Sequence, residues 1–232
     1  MYSSSIIIAV DGFSSCGKST MAKQLSKILN YVFVDSGAMY RAITLYFMQH
    51  EIAINDPQMV VRALENIQLA FKINPESSAN EIYLNGENVE SKIRSLAIAE
   101  RVSDIAAISA VRSFAVKQQQ QMGINGGIVM DGRDIGTVVF PQADLKIFMT
   151  ADLEIRVERR FKELALQNKD ITKEEVRENL AMRDHIDSNR ADSPLKMAED
   201  ARVLDNSYLH QDEQLELALR WAYEKINLKN LF

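Results

Sequence analysis

Short apolar runs alternate with longer amphipathic segments along most of the chain. Five runs are short and dominated by apolar residues, which predicts buried strands over residues 6–10, 32–34, 128–130, 145–149 and 202–205. Other segments repeat apolar residues every three or four positions, which predicts helices over residues 18–29, 39–50, 96–121, 153–166, 173–189 and 213–226. Strands that alternate with helices are typical of a parallel sheet. We therefore predict an α/β fold, a doubly wound five-stranded parallel sheet with helices on both faces.

One segment, residues 69–90, breaks this alternation of strands and helices. Apolar residues at Leu69, Phe71 and Ile73 alternate with polar or small ones, and an Asn-Gly pair follows at residues 85–86. Alternation with a period of two, together with that pair, predicts a small antiparallel unit with turns near residues 74–75 and 85–86. We interpret this unit as an insertion within one domain that spans residues 1–232.

Composition and charge exclude several classes of protein. Hydrophobic residues make up 47% and charged residues 25% of 232 residues, a balance typical of globular proteins with a sizeable core. The net charge of −5 disfavours tight binding to nucleic acid, which needs a basic surface, so we expect no nucleic-acid partner. The apolar run at residues 6–10 is too short for a signal sequence or a membrane span, so we expect no membrane association.

The cysteine and histidine content bears on the cellular compartment and on metal binding. The single cysteine, Cys16, excludes an intramolecular disulfide and suits a reducing compartment, so we predict a cytoplasmic protein. The three histidines are scattered, without the spacing of a structural zinc site. No segment has the pattern of an exposed apolar seam, and we therefore expect a monomer.

Residues 12–20, GFSSCGKST, match the pattern G-x-x-x-x-G-K-[S/T] of a phosphate-binding loop. A predicted strand precedes them and a predicted helix follows, as that loop requires. Its glycines let the backbone turn its N–H groups toward phosphate oxygens, and Lys18 can reach the β- and γ-phosphates. The Ser19 hydroxyl is placed to bind Mg²⁺, the predicted cofactor, beside the strand-end carboxylate Asp131. The predicted ATP-binding residues are Gly12, Phe13, Ser14, Ser15, Cys16, Gly17, Lys18, Ser19 and Thr20.

A phosphate loop indicates a nucleotide but leaves the reaction open. A GTPase switch usually carries N-K-x-D, and in the nearest string, Asn168-Lys169-Asp170, the aspartate comes one position too early. Arg41 and Arg133 each follow the end of a predicted strand, where ligands of open α/β sheets bind. The planar guanidinium of arginine binds phosphate bidentately, so these residues suggest a second phosphate beside ATP.

This pattern favours a kinase but leaves three alternatives. They are a P-loop kinase for another nucleoside monophosphate or a small alcohol, a GTPase-like switch, and a nucleotide-binding module without catalysis.

Two later helices carry charged residues along one face each. The first set is Arg156, Arg159 and Arg160, at i, i+3 and i+4; the second is Arg183, Asp187 and Arg190, at i, i+4 and i+7. Spacing alone favours a solvated face with surface salt bridges for both sets. Glu154, Glu158 and Glu163 are close enough to neutralise the first set.

Three segments resemble a known family, the bacterial-type cytidylate kinases. DGRDIGTVVFP at residues 131–141 resembles the family signature, while VDSGAMYR at 34–41 and NRADSPL at 189–195 are similar to two further family segments. Ser15-Cys16 departs from the Gly-Ala type of pair that the family often has in its loop. The resemblance implies transfer of the γ-phosphate of ATP to CMP or dCMP, giving ADP and CDP or dCDP.

The resemblance also implies a division of the domain and roles for residues. The core would cover about 1–66 and 94–232, the monophosphate-binding insertion about 67–93, and a helical lid about 156–190. Arg41 and Arg133 would hold the acceptor phosphate. The residues that would face cytosine are Ser103, Arg112, Asp134 and Arg190, and those near the sugar are Ser36, Arg183 and Asp187. Arg156, Arg159 and Arg160 would lie at the lid, and the proposed catalytic set is Lys18, Arg133, Arg156 and Arg160.

This set of polar groups also suits cytosine chemically. The base offers an exocyclic amine as a donor and acceptors at N3 and O2. A carboxylate such as Asp134 can accept from the amine, and an arginine can donate to the acceptors. Uracil has the opposite pattern at position 4, so the same groups would be left unpaired and would disfavour it.

Overall fold

The computed structural model describes residues 5–75, 80–166 and 171–231. Two compact units divide the chain: unit 1 takes the described residues up to Phe33 and from Met122 onward, and unit 2 takes Val34–Gln121. Within these described residues no helix is long and apolar enough to cross a membrane.

The strands build two separate sheets. In chain order they are β1 (Ile7–Gly12), β2 (Val32–Asp35), β3 (Leu69–Ile73), β4 (Asn80–Leu84), β5 (Glu87–Asn88), β6 (Ile128–Gly132), β7 (Leu145–Thr150) and β8 (Arg202–Asp205). In the described chain, five of them form one sheet in the order β2-β6-β1-β7-β8, and β1 pairs in parallel with both β6 and β7. The predicted five-stranded parallel sheet is confirmed.

The central position of β1 explains its composition. Ile8, Ala9 and Val10 are all fully buried, because the strand lies between two others and is covered on both faces. A continuous apolar run of this kind is typical of an inner parallel strand. The same core takes in Met21 and Leu25 from the first helix, which follows the strand.

The helices agree with the predicted set except at two places. They are α1 (Lys18–Leu29), α2 (Ser36–Gln49), α3 (Pro57–Glu65), α4 (Leu96–Ala106), α5 (Ser109–Met122), α6 (Leu153–Ala165), α7 (Lys173–Asn189) and α8 (Gln211–Lys229). Helix α3 was not predicted, although Asp56 caps it by accepting the N–H groups of Gln58 and Met59. The single helix predicted over residues 96–121 is wrong, since it is two helices. Arg112 donates to Ala106 O at 3.2 Å and so caps the end of α4.

The predicted antiparallel insertion is present in unit 2. Strands β3, β4 and β5 form a three-stranded sheet in that order. Leu84 pairs with Glu87, so Asn85 and Gly86 alone form the turn, with φ of +49° and +86°. Two successive positive φ values define the tight hairpin turn for which an Asn-Gly pair is best suited. The other turn was predicted near residues 74–75, and the adjoining residues 76–79 lie outside the described residues.

The segment after β6 is held from two neighbouring strands. It forms a single π-helical turn over Ile135–Val139. The Asp11 carboxylate on β1 accepts the N–H groups of Ile135 at 2.8 Å and of Gly136 at 2.7 Å. On β7, the Lys146 ammonium donates to Pro141 O at 2.7 Å. Contacts at both ends therefore fix the path of residues 134–141.

The buried Asp11 carboxyl leads to a prediction about pH. Burial raises its pKa from 3.8 to about 6, although the N–H donors of Gly136 and Ile135 act in the opposite direction. The folded protein therefore binds this proton more tightly than the unfolded chain, and stability falls as pH rises from about 4 to about 6. Relative to Asp11→Asn, which does not titrate, wild type should lose on the order of 3 kcal/mol over this interval.

Urea denaturation of both proteins at several pH values measures this difference. A difference in free energy of unfolding that stays constant, or that grows in favour of wild type with rising pH, would contradict the prediction.

Candidate active site

Residues 12–17 join β1 to α1 in a conformation that requires glycine at its start. Gly12 has φ of +146°, and a Cβ atom there would lie 1.9 Å from Met149 O on β7. Ser15 and Gly17 also have positive φ, of 58° and 88°. A backbone that turns in this way, followed by the unpaired N–H groups at a helix start, forms a cradle for an anion.

Lys18 and Ser19, the first residues of α1, carry the side chains expected to bind phosphate and metal. The Lys18 ammonium is buried and donates to Phe13 O at 2.6 Å. Burial, with a further contribution from Arg133, lowers the pKa of Lys18. Ser19 Oγ donates to Asp131 Oδ2 at 2.5 Å, so a hydroxyl and a buried carboxylate lie side by side.

The donor set at Ser19 and Asp131 is suitable for Mg²⁺. Oxygen ligands are those that Mg²⁺ prefers, and the ion is usually bound by one or two side chains together with water and substrate phosphates. Across the described residues there is no group of three or more His, Cys, Asp or Glu side chains that could hold a metal ion. An ion at Ser19 and Asp131 would therefore complete its coordination shell with phosphate oxygens and water.

Ser14 is the point of the loop at which distant side chains meet. Arg133 Nη2 donates to Ser14 Oγ at 2.9 Å, and Arg156 Nη1 donates to Ser14 O at 3.2 Å. The Asp184 carboxylate accepts Ser14 N–H at 3.2 Å and pairs with Arg156 at 2.5 Å. Two predicted arginines are therefore in direct contact with the phosphate loop.

A second cluster of charges surrounds Asp187, still within unit 1. Arg133 Nε donates to Asp187 Oδ2 at 2.8 Å. Arg190 lies 3.6 Å from Asp187 and 3.5 Å from Asp134. Burial alone would raise the pKa of Asp187, but Arg133, Arg190 and Arg183 outweigh it and hold the pKa below its ordinary value. The structure thus brings together all five predicted acceptor residues of this unit.

The three arginines of α6 have different partners. Arg156 is buried against the loop, as described, with its guanidinium 5.3 Å from the Phe13 ring centre. Arg159 donates to Asn206, and Arg160 pairs with Glu163 at 2.9 Å. The interpretation from spacing alone, a solvated face with surface salt bridges, is wrong for Arg156 because its side chain is buried.

In unit 2, the start of α2 is built around Asp35. Its carboxylate caps the helix by accepting Ala38 N–H at 2.9 Å, and it accepts from Arg94 Nη2 at 2.9 Å. Burial would raise the pKa of Asp35, but Arg94, the Ala38 N–H and Arg41 together lower it. Two predicted residues follow directly: the buried Ser36 opens α2, and Arg41 lies on the same helix.

The other two predicted residues of unit 2 lie on α4 and α5. Ser103 is buried on α4, and Arg112 is buried on α5. The Arg112 guanidinium lies 5.3 Å from the ring centre of Tyr40, so the aromatic face supports a charge that would otherwise be costly to bury. This contact ties α5 to α2.

Sequence reasoning missed four polar residues that hold these sites in place: Asp11, Arg94, Asp184 and Asn206. Asp184 alone carried a signal, since it stands three positions before Asp187 on the same helix. Asp11, Arg94 and Asn206 bind residues that are distant in sequence, and no spacing pattern connects them to those residues. The string at residues 168–170, considered for a GTPase motif, lies outside the described residues.

Together these features define a class of protein. A phosphate loop between an inner parallel strand and a helix, contacted by the buried Arg156 and the half-buried Arg133, is typical of P-loop kinases. A crystal structure of an uncharacterized protein from Eubacterium ventriosum has a TM-score of 0.51 at 10% identity, covering 95% of this chain and 99% of that one. This likeness concerns the fold alone.

Comparison with known sequences assigns the family. The family model described as cytidylate kinase matches residues 8–224. A cytidylate kinase of Flavobacterium johnsoniae is 51% identical over 96% of this chain and 98% of its own length, and one of Bacteroides fragilis is 53% identical over 91% and 93%. The chain belongs to the cytidylate kinase family, and the predicted transferase activity, phosphorylation of CMP or dCMP with ATP, is confirmed.

The depressed pKa of Asp187 leads to a second pH prediction, opposite in sign to that for Asp11. A carboxyl whose pKa is lowered by folding stabilises the protein fully above its ordinary pKa of 3.8 and loses that contribution as pH falls through the folded value. Asp187→Asn should therefore be less stable than wild type at neutral pH, with a deficit that shrinks below pH 3.8.

Chemical denaturation of both proteins from neutral to acid pH measures this deficit. A deficit that is equally large below the ordinary carboxyl pKa would show that the charge of Asp187 is not what stabilises the cluster.

Proposed function

We propose that this chain transfers the γ-phosphoryl group of ATP to CMP or dCMP by aligning the two nucleotides and neutralising their charge, without a covalent intermediate. An oxygen of the acceptor phosphate attacks the γ-phosphorus. The bond to ADP breaks, ADP leaves, and the product is CDP or dCDP. One observation carries the proposal: Arg133, assigned to the acceptor phosphate, already donates to Ser14 of the donor loop at 2.9 Å. A single guanidinium is thus within reach of both phosphates that must meet.

The donor side of the site uses the phosphate loop. Backbone N–H groups of residues 12–20 bind the phosphates of ATP, and Lys18 reaches the β- and γ-phosphates. Ser19 and Asp131 hold Mg²⁺, which neutralises phosphate charge when bound. The 2.5 Å contact between Ser19 Oγ and Asp131 Oδ2 supports this assignment, because it places the two oxygens next to each other.

Acceptor roles are proposed for each unit separately. In unit 1, Arg133 binds the acceptor phosphate, Asp134 and Arg190 contact cytosine, and Arg183 and Asp187 lie near the sugar. In unit 2, Arg41 binds phosphate, Ser36 lies near the sugar, and Ser103 and Arg112 contact the base. Family membership supports these roles. The burial of Asp134, Arg112 and Ser103 supports them as well, because a base that leaves a buried polar group without a hydrogen bond is bound less tightly.

Residues 156–190 are proposed to act as a lid on the core of about 1–66 and 94–232, and the insertion of about 67–93 to help bind the monophosphate. Arg156 and Arg160 bring positive charge to the transferring group, and closure excludes water that would hydrolyse ATP. The contact of Arg156 with Ser14 O at 3.2 Å supports its role.

The protein is proposed to act as a monomer in the cytoplasm. The reducing conditions of that compartment suit a chain with a single cysteine.

The family assignment does not support the alternatives considered from sequence. They were a kinase for another monophosphate or a small alcohol, a GTPase-like switch and a non-catalytic module, and each differs in activity from a cytidylate kinase. The match over residues 8–224 covers both the loop and the acceptor residues.

The base preference can be tested with a coupled ADP-release assay on CMP, dCMP, UMP, AMP and GMP. Wild type should favour the two cytidine nucleotides. Asp134→Ala should lose much of the preference for CMP over UMP, because the carboxylate that accepts the cytosine amine is gone. An unchanged ratio would mean that Asp134 does not read the base, and a wild type without CMP kinase activity would overturn the proposed reaction.

The acceptor phosphate can be tested with Arg133→Ala. Loss of a charge that stabilises the transition state should lower kcat by roughly 10²–10³-fold. The variant should stay folded, since Arg183 and Arg190 remain beside Asp187.

Arg202→Ala is the matched control. Arg202, on β8, forms a surface pair with Glu224 on α8 and should be dispensable for turnover. Near-normal kcat in Arg133→Ala, with a circular dichroism spectrum like that of wild type, would refute the assignment.

A further inference from the structure

Asn206, directly after β8, is a buried polar residue that connects three parts of unit 1. Its side chain donates through Nδ2 to Cys16 O at 2.6 Å and to Gln214 Oε1 at 2.9 Å. Its Oδ1 accepts from Arg159 Nη1 at 3.0 Å. A rotated amide would place its NH₂ against the arginine and its oxygen against a carbonyl, so these contacts fix its orientation.

The backbone of Asn206 is anchored independently of the phosphate loop. Its N–H donates to Thr150 O at the end of β7 at 3.0 Å. Its own carbonyl accepts from Arg159 Nη2 at 2.9 Å, so the arginine grips both the side chain and the main chain. With 1% of its surface exposed, Asn206 is held firmly enough to set the position of what it touches.

What it touches is a peptide group of the phosphate loop. The Cys16 carbonyl and the Gly17 N–H belong to one planar trans peptide and point in opposite directions. A hydrogen bond that holds Cys16 O against Asn206 therefore also sets the direction of the Gly17 N–H. Gly17 has φ of +88° and little intrinsic preference for one conformation, so this peptide would otherwise turn easily.

Other carbonyls of the loop are held in a comparable way. Phe13 O accepts from Lys18, and Ser14 O accepts from Arg156 at 3.2 Å. A site for an anion needs its carbonyl oxygens turned away from the ligand and its N–H groups turned toward it. Protein donors that occupy these oxygens produce that arrangement, and Asn206 does so for Cys16.

We propose that Asn206 is a positioning residue for ATP: it holds the Cys16–Gly17 peptide of the phosphate loop in its phosphate-binding orientation, and Arg159 holds Asn206. The inference rests on the proposed function, in which the loop binds the donor nucleotide. It also gives Arg159 a different role from its neighbours on α6. Arg156 contacts the loop directly, whereas Arg159 acts on it through Asn206.

The test compares Asn206→Asp with wild type by calorimetric titration of the full chain with ATP alone and with CMP alone. The aspartate keeps the shape and the acceptor for Arg159 but removes the donor for Cys16 O. The dissociation constant for ATP should rise about tenfold, as expected for a lost hydrogen bond with an uncompensated carbonyl, while that for CMP changes less than about twofold. An ATP dissociation constant within about twofold of wild type would overturn the proposal.

Two further variants separate positioning from general stability. Ile226→Ala removes core packing near the end of α8, where Lys229 contacts Ser5 before the start of β1, the strand end opposite the loop. This variant should lower the Tm without weakening ATP binding. If it weakens ATP binding as much as Asn206→Asp does, the role of Asn206 is merely structural and the proposal fails. Arg159→Met leaves Asn206 in place and should also raise the dissociation constant for ATP more than that for CMP. It serves as the test if Asn206→Asp does not fold.

These measurements are independent of the proposed reaction. A wild type that binds ATP but does not phosphorylate CMP would refute the kinase assignment, while selective loss of ATP affinity in Asn206→Asp would still support the role of Asn206.

Discussion

Charges buried at the carboxyl end of the parallel sheet dictate how unit 1 is arranged. Removing a charge from water costs several kcal/mol unless a partner compensates it. Asp187, Arg133 and Arg156 are all largely buried, and each meets an opposite charge from a different element. The pairs therefore join the end of β6 to α7 and α6 to α7, and hydrogen bonds to Ser14 connect the same side chains to the phosphate loop. The charged side chains that we propose for phosphoryl transfer therefore also hold the elements of this unit together.

The neighbouring carboxylates explain how several arginines can lie close together in the folded protein. A cluster of guanidinium groups without anions would repel itself. Asp184 and Asp187 supply the negative charge on the side of α7, and the lowered pKa of Asp187 shows that it stays ionised beside Arg133. The carboxylates thus preorganise the cationic groups, which lowers the reorganisation that catalysis would require.

The family signature at residues 131–141 divides into two parts with different physical roles. Its first residues, Asp131, Arg133 and Asp134, supply charge at the end of β6. The remainder forms a π-helical turn whose path is set by Asp11 on β1 and by Lys146 on β7. The residues after Asp134 therefore add no charge of their own, and contacts from β1 and β7 hold them in place beside the charged ones.

The sequence by itself determined the elements and motifs whose signals are local. Periodicity marked the five strands of the large sheet, the phosphate loop was contiguous, and Asn85-Gly86 marked its turn. Tertiary structure decided the rest. At the break between α4 and α5, Arg112 caps Ala106, and Asn206 meets Cys16 across 190 positions of sequence. Such contacts arise from packing and from pairing of buried polar groups, which leave no periodic trace along the chain.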